Sequence, residues 1–473
     1  MKQKTFLVAL ILASITSILT LSSFFKQPQS PSSTSYDNGN VQYQSTNKQS
    51  KSIGNISYSS AFENDYFTPQ NRQGNYYVEV HTDKYQREDQ GRTPLNISIV
   101  IDRSGSMAGT KLQNAKQAAS YIVDQLNSND YLSLVIYDGS VDVLQYTTAV
   151  INKQAIKNKI ESITDRGGTN LTGGALKGYE QVKKEYKSGY INRVLLLSDG
   201  QANEGITNPK EIERIVSNQS RENGITISTF GLGNDFNEDL MTSMAEHGSG
   251  NYYFISNPEN IASIFRKELN GLMEVSAQNA TVQITLPDNV NVDAVYGCKH
   301  VQVGRLLTVQ LHDIFANETR GVLVRYTITK GSNMPVQFAT SLSYTNGEEG
   351  KVERIYLQNK SEFTNNYGVY NESFNEWVSA QVALYVSNEK LELAMKEVDK
   401  GNYKEAKKMV KDNDAYISSK AKLIKNSPEL KRAQTSNANY DEKIQAVEDM
   451  PAAQVKYIQK ESKNENYLIR SKK

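Results

Sequence analysis

The chain has one cysteine, Cys298, in 473 residues. No intrachain disulfide can form, and no cysteine cluster can hold zinc. That suits a cytosolic protein or an exported one that does without disulfides. Histidine is nearly as scarce, with His81, His247, His300 and His312 the only four. None forms an H-E-x-x-H pair or a zinc-like spacing, so each is read as structural. His247 is expected to end a helix, where a cation opposes the helix dipole. No G-x-S-x-G elbow presents a serine nucleophile. Gly231-x-Gly233 is too short for a phosphate loop and lacks the lysine that should follow. Charge of one sign is also missing: 53 Lys and Arg face 52 Asp and Glu, for a net +1. Nothing in that balance favours nucleic acid or a solvated acidic tail.

What is present begins with an N-terminal apolar run. Lys2 and Lys4 precede an uncharged stretch from Thr5 to Phe25, about the length that spans a bilayer. The lysines predict a cytoplasmic N-terminus and a translocated body. No A-x-A cleavage site follows, so a retained anchor is favoured over a cleaved signal peptide. Lys26 to Ser60 is rich in Ser, Gln, Asn and Gly. It lacks the apolar surface needed to fold and reads as a flexible tether.

The most informative stretch runs from Ile99 to Leu112. An apolar run stops at Asp102, Ser104 and Ser106, and a helical pattern follows. This reads as buried strand, tight loop, helix. Spacing of two lets one carboxylate and two hydroxyls face a common point. Oxygen donors of low charge suit a hard divalent cation, Mg²⁺ first, then Mn²⁺ or Ca²⁺. Alone, the triplet is equally a polar loop with a serine cap. Two later loops add weight. Gly167-Gly-Thr-Asn170 presents Thr169, and the run Arg193–Gly200 ends a buried strand in Asp199. Both would sit at the mouth of an α/β sheet, where ligands of such folds collect.

These residues resemble the metal-ion-dependent adhesion site of the von Willebrand factor A (VWA) family, in its membrane-linked or secreted bacterial form. The family pattern is D-x-S-x-S, then a Thr in a Gly-rich loop, then an Asp after a central strand. Asp102, Ser104, Ser106, Thr169 and Asp199 match all five positions. The resemblance implies that the serines and the threonine contact the metal, and that the aspartates bind directly or through water. One coordination position would stay open for an acidic residue of a partner. Arg103, at a variable position, would tune that partner's approach.

Strands and helices alternate from Leu95 to Leu272, predicting a doubly wound, Rossmann-like α/β sheet. From Ala277 to Phe363 only strand patterns occur, with turns at Pro287-Asp288-Asn289 and Asn346-Gly347. The alternating stretch Asn75–Lys84 has no neighbours of its own and should complete this sheet system. From Asn371 the pattern is helical, with Leu391, Ala394, Met395 and Val398 at helical spacing. Residues beyond Glu461 are expected to be mobile. The module order resembles, in outline, bacterial membrane-linked A-domain proteins and inter-alpha-trypsin inhibitor heavy chains.

The expected organisation is multidomain: signal peptide or anchor (1–25), linker (26–60), strand segment pairing with the β module (61–94), VWA domain (95–272), β-sandwich-like domain (273–363) and helical C-terminal region (364–473). The expected function is non-enzymatic. A protein ligand would offer a carboxylate to the bound cation, on a chain exported and anchored at the outer face of the membrane or secreted. The alternatives are a structural component of an envelope complex and, further off, a metal-dependent hydrolase. The sequon Asn170-Leu-Thr172 lies inside the metal loop, where a sugar would crowd the binding face.

Overall fold

The computed structural model describes residues 47–83, 92–347, 350–425, 427–448 and 450–471. The expected N-terminal anchor and most of the tether lie outside these residues. The last part of the tether does not. Gln49–Ile53 (β1) and Ile56–Phe62 (β2) are an antiparallel pair. The Ser-rich composition hid an alternation in which Ile56, Tyr58 and Ser60 point inward and β2 lies on β4.

Tyr66–Phe67 (β3) and Gln73–Thr82 (β4) precede the α/β domain, which starts with Leu95–Asp102 (β5). Every residue of β5 is buried because it lies between two parallel neighbours with helices on both faces. Ile97, Ile99 and Ile101 join one core with Thr110–Gln125 (α1) and Lys153–Glu161 (α2). Val100 joins the opposite core with Leu171–Lys184 (α3). Tyr131–Tyr137 (β6), Val141–Ala149 (β7), Ile191–Ser198 (β8), Thr226–Leu232 (β9) and Ser249–Ile255 (β10) complete a sheet of order β10-β9-β8-β5-β6-β7. Only the edge strand β7 is antiparallel. Pro209–Asn223 (α4) and Glu238–His247 (α5) cover the second face, and Ile261–Met273 (α6) covers the first. Asn152, Asn170, Asn208 and Asn237 cap helices α2 to α5 with their side-chain oxygens.

Helix α6 runs directly into Val275–Thr285 (β11) of a β-sandwich. The other strands are Val290–Tyr296 (β12), His300–Val303 (β13), Leu306–Phe315 (β14), Thr319–Ile328 (β15), Val336–Asn346 (β16) and Val352–Phe363 (β17). One sheet has the order β1-β2-β4-β15-β12, the other β13-β14-β11-β16-β17-β3. Strand β4 lies at the centre of the first sheet and pairs with β15 from Gln73 to His81. The α/β domain is therefore an insertion between β4 and β11. Arg193 fastens the two together. Its buried guanidinium donates to Ser228 Oγ at 2.9 Å, to Glu268 at 3.1 Å and to Asp313 of β14 at 2.8 Å.

After the short helix Tyr367–Glu372 (α7), Glu376–Asp399 (α8) lays Val378, Val382 and Tyr385 against Ala61, Tyr77 and Leu323 of the first sheet. Tyr403–Lys420 (α9) and Pro428–Val447 (α10) pack on α8. The last helix, Ala452–Arg470 (α11), corrects the expectation of mobility beyond Glu461. Its Ile458 and Ile469 join the helical cores, while Tyr467 enters the core of the α/β domain. The sequence disguises this because most of the docking is polar. Tyr440 donates to Ser462 O at 2.8 Å, and Tyr252 N–H donates to Tyr467 Oη at 3.1 Å. Among the described residues, no helix is long and apolar enough to cross a membrane.

Candidate metal site and partner cleft

The site is built where β5 and β8 end side by side. Asp102 is the last residue of β5, and Asp199 follows Ser198 at the end of β8. Both carboxylates are fully buried. Asp102 accepts from Ser104 N–H at 2.8 Å and from Ser198 Oγ at 2.7 Å. Ser104 Oγ lies 3.1 Å from Ser106 Oγ, and Ser106 Oγ donates to Asp199 at 2.7 Å. Four of the five expected donors thus form one hydrogen-bonded chain. Thr169 arrives from a separate loop. A Cβ placed on Gly200 would lie 3.3 Å from Thr169 Oγ1 and 3.8 Å from Ser106 Oγ, so both hydroxyls flank the same backbone.

Backbone bonds hold the three loops in register. Gly105 N–H donates to Gly167 O at 3.2 Å, and Gly167 adopts φ +67°, open to glycine without strain. Thr169 N–H donates to Asn203 Oδ1 at 3.0 Å, and Asn203 N–H returns to Thr169 O at 3.2 Å. The sequon is spent on this architecture. Asn170 caps α3 through Gly173 N–H, and Thr172 Oγ1 donates to Ile206 O at 2.6 Å.

Arg103 is tied to carboxylates of its own chain. It donates to Asp138 at 2.7 Å and to Asp142 at 2.6 Å, with Arg166 adding a 3.0 Å bond to Asp138. It braces the loop after β5 against the β6–β7 turn. Desolvation pushes the Asp138 carboxyl up. Hydrogen bonds from Ser140 and Arg166 and the charge of Arg103 overcome this and hold it below its ordinary value.

Electrostatics at the site are tense. Desolvation pushes the Asp102 carboxyl up to about 6 against the hydrogen bonds from Ser104 and Ser198, and the Asp199 charge adds to the rise. Lys111, the second residue of α1, forms an ion pair with Asp199 and donates to Ser106 O at 3.2 Å. Sequence reasoning missed Lys111 and Ser198. Both lie within a few residues of a motif position, which was the available signal. It also missed that the site opens into a cleft of about 360 Å³. Ser106 and residues 199–201 line it together with Asp235, Phe236 and Glu238 at the start of α5. Lys456, Gln459 and Lys460 of α11 complete the lining.

A family model described as the von Willebrand factor type A domain matches residues 96–267. Residues 96–267 are a VWA domain. The chain is 34% identical over 191 residues to an uncharacterized protein, YfbK, of Escherichia coli, covering 40% of this chain and 33% of that one. An uncharacterized Synechocystis protein is 27% identical over 243 residues, covering 49% of this chain and 57% of its own. Human inter-alpha-trypsin inhibitor heavy chain H3 is 26% identical over 286 residues, covering 56% of this chain and 30% of its own. The chain therefore spans from under a third to a little over half the length of these curated relatives.

Two solved structures share the fold. A von Willebrand factor type A protein from Catenulispora acidiphila has a TM-score of 0.62 at 14% identity, covering 82% of this chain and 93% of that one. The ArnB paralog VWA2 from Sulfolobus acidocaldarius has a TM-score of 0.59 at 17% identity, covering 87% and 98%. Such coverage reaches well beyond the VWA domain into the other two modules. VWA domains are commonly protein-interaction modules, and this one stands in a multidomain frame of that shared design.

Proposed function

We propose that this chain is a Mg²⁺-dependent protein-binding module, displayed outside the cytoplasmic membrane, that captures a carboxylate of a partner protein. The observation that carries the reading is the hydrogen-bonded chain from Asp102 through the Ser104 N–H and the Ser104 and Ser106 hydroxyls to Asp199, with Thr169 alongside. Two carboxylates and three hydroxyls are an oxygen-only donor set of the kind a hard divalent cation takes, with Mn²⁺ or Ca²⁺ as substitutes. Two buried aspartates that repel one another invite a divalent charge between them. The apolar run at 5–25 supports export, with an anchored or secreted body.

The test is a pull-down from membranes with Mg²⁺ and with chelator. Partner retention should require Mg²⁺, and Asp102→Ala should behave as chelated wild type does while keeping its fold. Equal capture by Asp102→Ala refutes the proposal. A second reading, a standing component of an envelope complex, draws on the buried Arg193–Asp313 tie that fixes the VWA domain to its frame. A partner that co-purifies at fixed stoichiometry, whatever the metal, would favour it.

A further inference from the structure

We propose that helix α11 is half of the recognition cleft, and that the partner is an acidic segment offering two carboxylates, one to the metal loop and one to Lys456. This rests on the metal-capture reading above.

The helix is fixed to the VWA domain by its cationic side chains. Lys460 donates to Phe236 O at 2.7 Å, pairs with Glu238, and lies 4.1 Å from the centroid of the Phe236 ring. Lys463 pairs with Glu238 at 2.9 Å and with Asp399 of α8 at 3.3 Å. Arg470 pairs with Glu246 of α5 and with Glu392 of α8. Each of these cations has a structural carboxylate. Lys456, one turn before Lys460 on the same face, does not. It is exposed, lines the same cleft as Asp199, and pairs with no carboxylate among the described residues.

With a divalent cation held at Asp199 and Ser106, the cleft would carry two separate positive charges, the cation and the Lys456 ammonium. Its lining also includes the exposed carboxylate of Asp235, which disfavours a diffuse anion filling the whole cleft. Two separate acids match two separate cations one to one, whereas a single carboxylate serves only one of them. A volume of about 360 Å³ is enough for side chains of a short segment, at the lower end of ligand-cleft sizes. Lys456 is thus a specificity residue contributed from more than two hundred residues beyond the metal motif.

The probe is a panel of short synthetic peptides with one glutamate, or two at varied spacing, titrated against the immobilised full chain in Mg²⁺. Wild type should bind the best two-acid peptide about tenfold more tightly than any one-acid peptide. Lys456→Ala should remove that preference, and Lys456→Arg should restore it. A preference that survives in Lys456→Ala, or its absence from wild type, overturns the proposal while metal capture stands. Peptide binding indifferent to Mg²⁺, or to Asp199→Asn, overturns the metal reading and this inference with it.

Discussion

Replacing Glu238 by glutamine should loosen α11 from the VWA domain. Glu238 begins α5 and receives both Lys460 and Lys463. Desolvation pushes its carboxyl up, but the two ammonium groups overcome this and lower it from 4.5 to about 2. A shift of that size is worth about 3 kcal/mol in a fully buried pair, at about 1.4 kcal/mol per unit. Glu238 is partly open to water, and screening reduces the figure to about 1–2 kcal/mol. The folded value lies below the unfolded one. The contribution is therefore complete above about 4.5 and is lost as the pH falls towards 2. Hydrogen exchange over residues 452–470 is the assay, because local opening reports local stability. Glu238→Gln should speed exchange there about tenfold at neutral pH, leave α1 unchanged, and converge on wild type in acid. Wild-type protection of α11 in the variant at neutral pH would refute the argument that this ion pair is the clamp.

Other outcomes follow from the same contacts. Arg193→Met removes the cation from the buried Glu268 and the partly buried Asp313 and should cost about 3 kcal/mol in urea unfolding. Adding Glu268→Met should recover part of that loss. Lys111→Ala removes a cation from Asp199 and should tighten Mg²⁺ binding by about 1 kcal/mol, read by calorimetry. Tyr467→Phe leaves Tyr252 N–H without its acceptor and should lower the unfolding midpoint by about 1 kcal/mol of stability.

The sheet of the VWA domain was legible because β5 and β8 carry the unbroken apolar runs Ile99–Ile101 and Val194–Leu197, each followed by a polar loop. The insertion was legible from Tyr76 to Val80, a strand with no sequence neighbour to pair with. The convergence of the motif residues was legible because Asp102 and Asp199 lie at strand ends and Thr169 sits in a Gly-rich loop. What failed had a common cause. Strands β1 and β2 are rich in serine, which reads as tether until a second sheet covers one face. Helix α11 buries Lys460, Ser462 and Asn466 and docks through ion pairs. Composition treats such residues as solvated, and only tertiary partners reverse that. The ion pairs of Arg103 were hidden for the same reason, since Asp138 and Asp142 lie about forty residues away in sequence.

The central claim is that Asp102, Ser104, Ser106, Thr169 and Asp199 together hold one divalent cation. Titrating Mg²⁺ into the full chain and into Asp102→Ala by calorimetry tests it without any partner. The account predicts a single ion per wild-type chain and none in the variant, with circular dichroism unchanged. Mg²⁺ binding of equal affinity and stoichiometry in Asp102→Ala would contradict it.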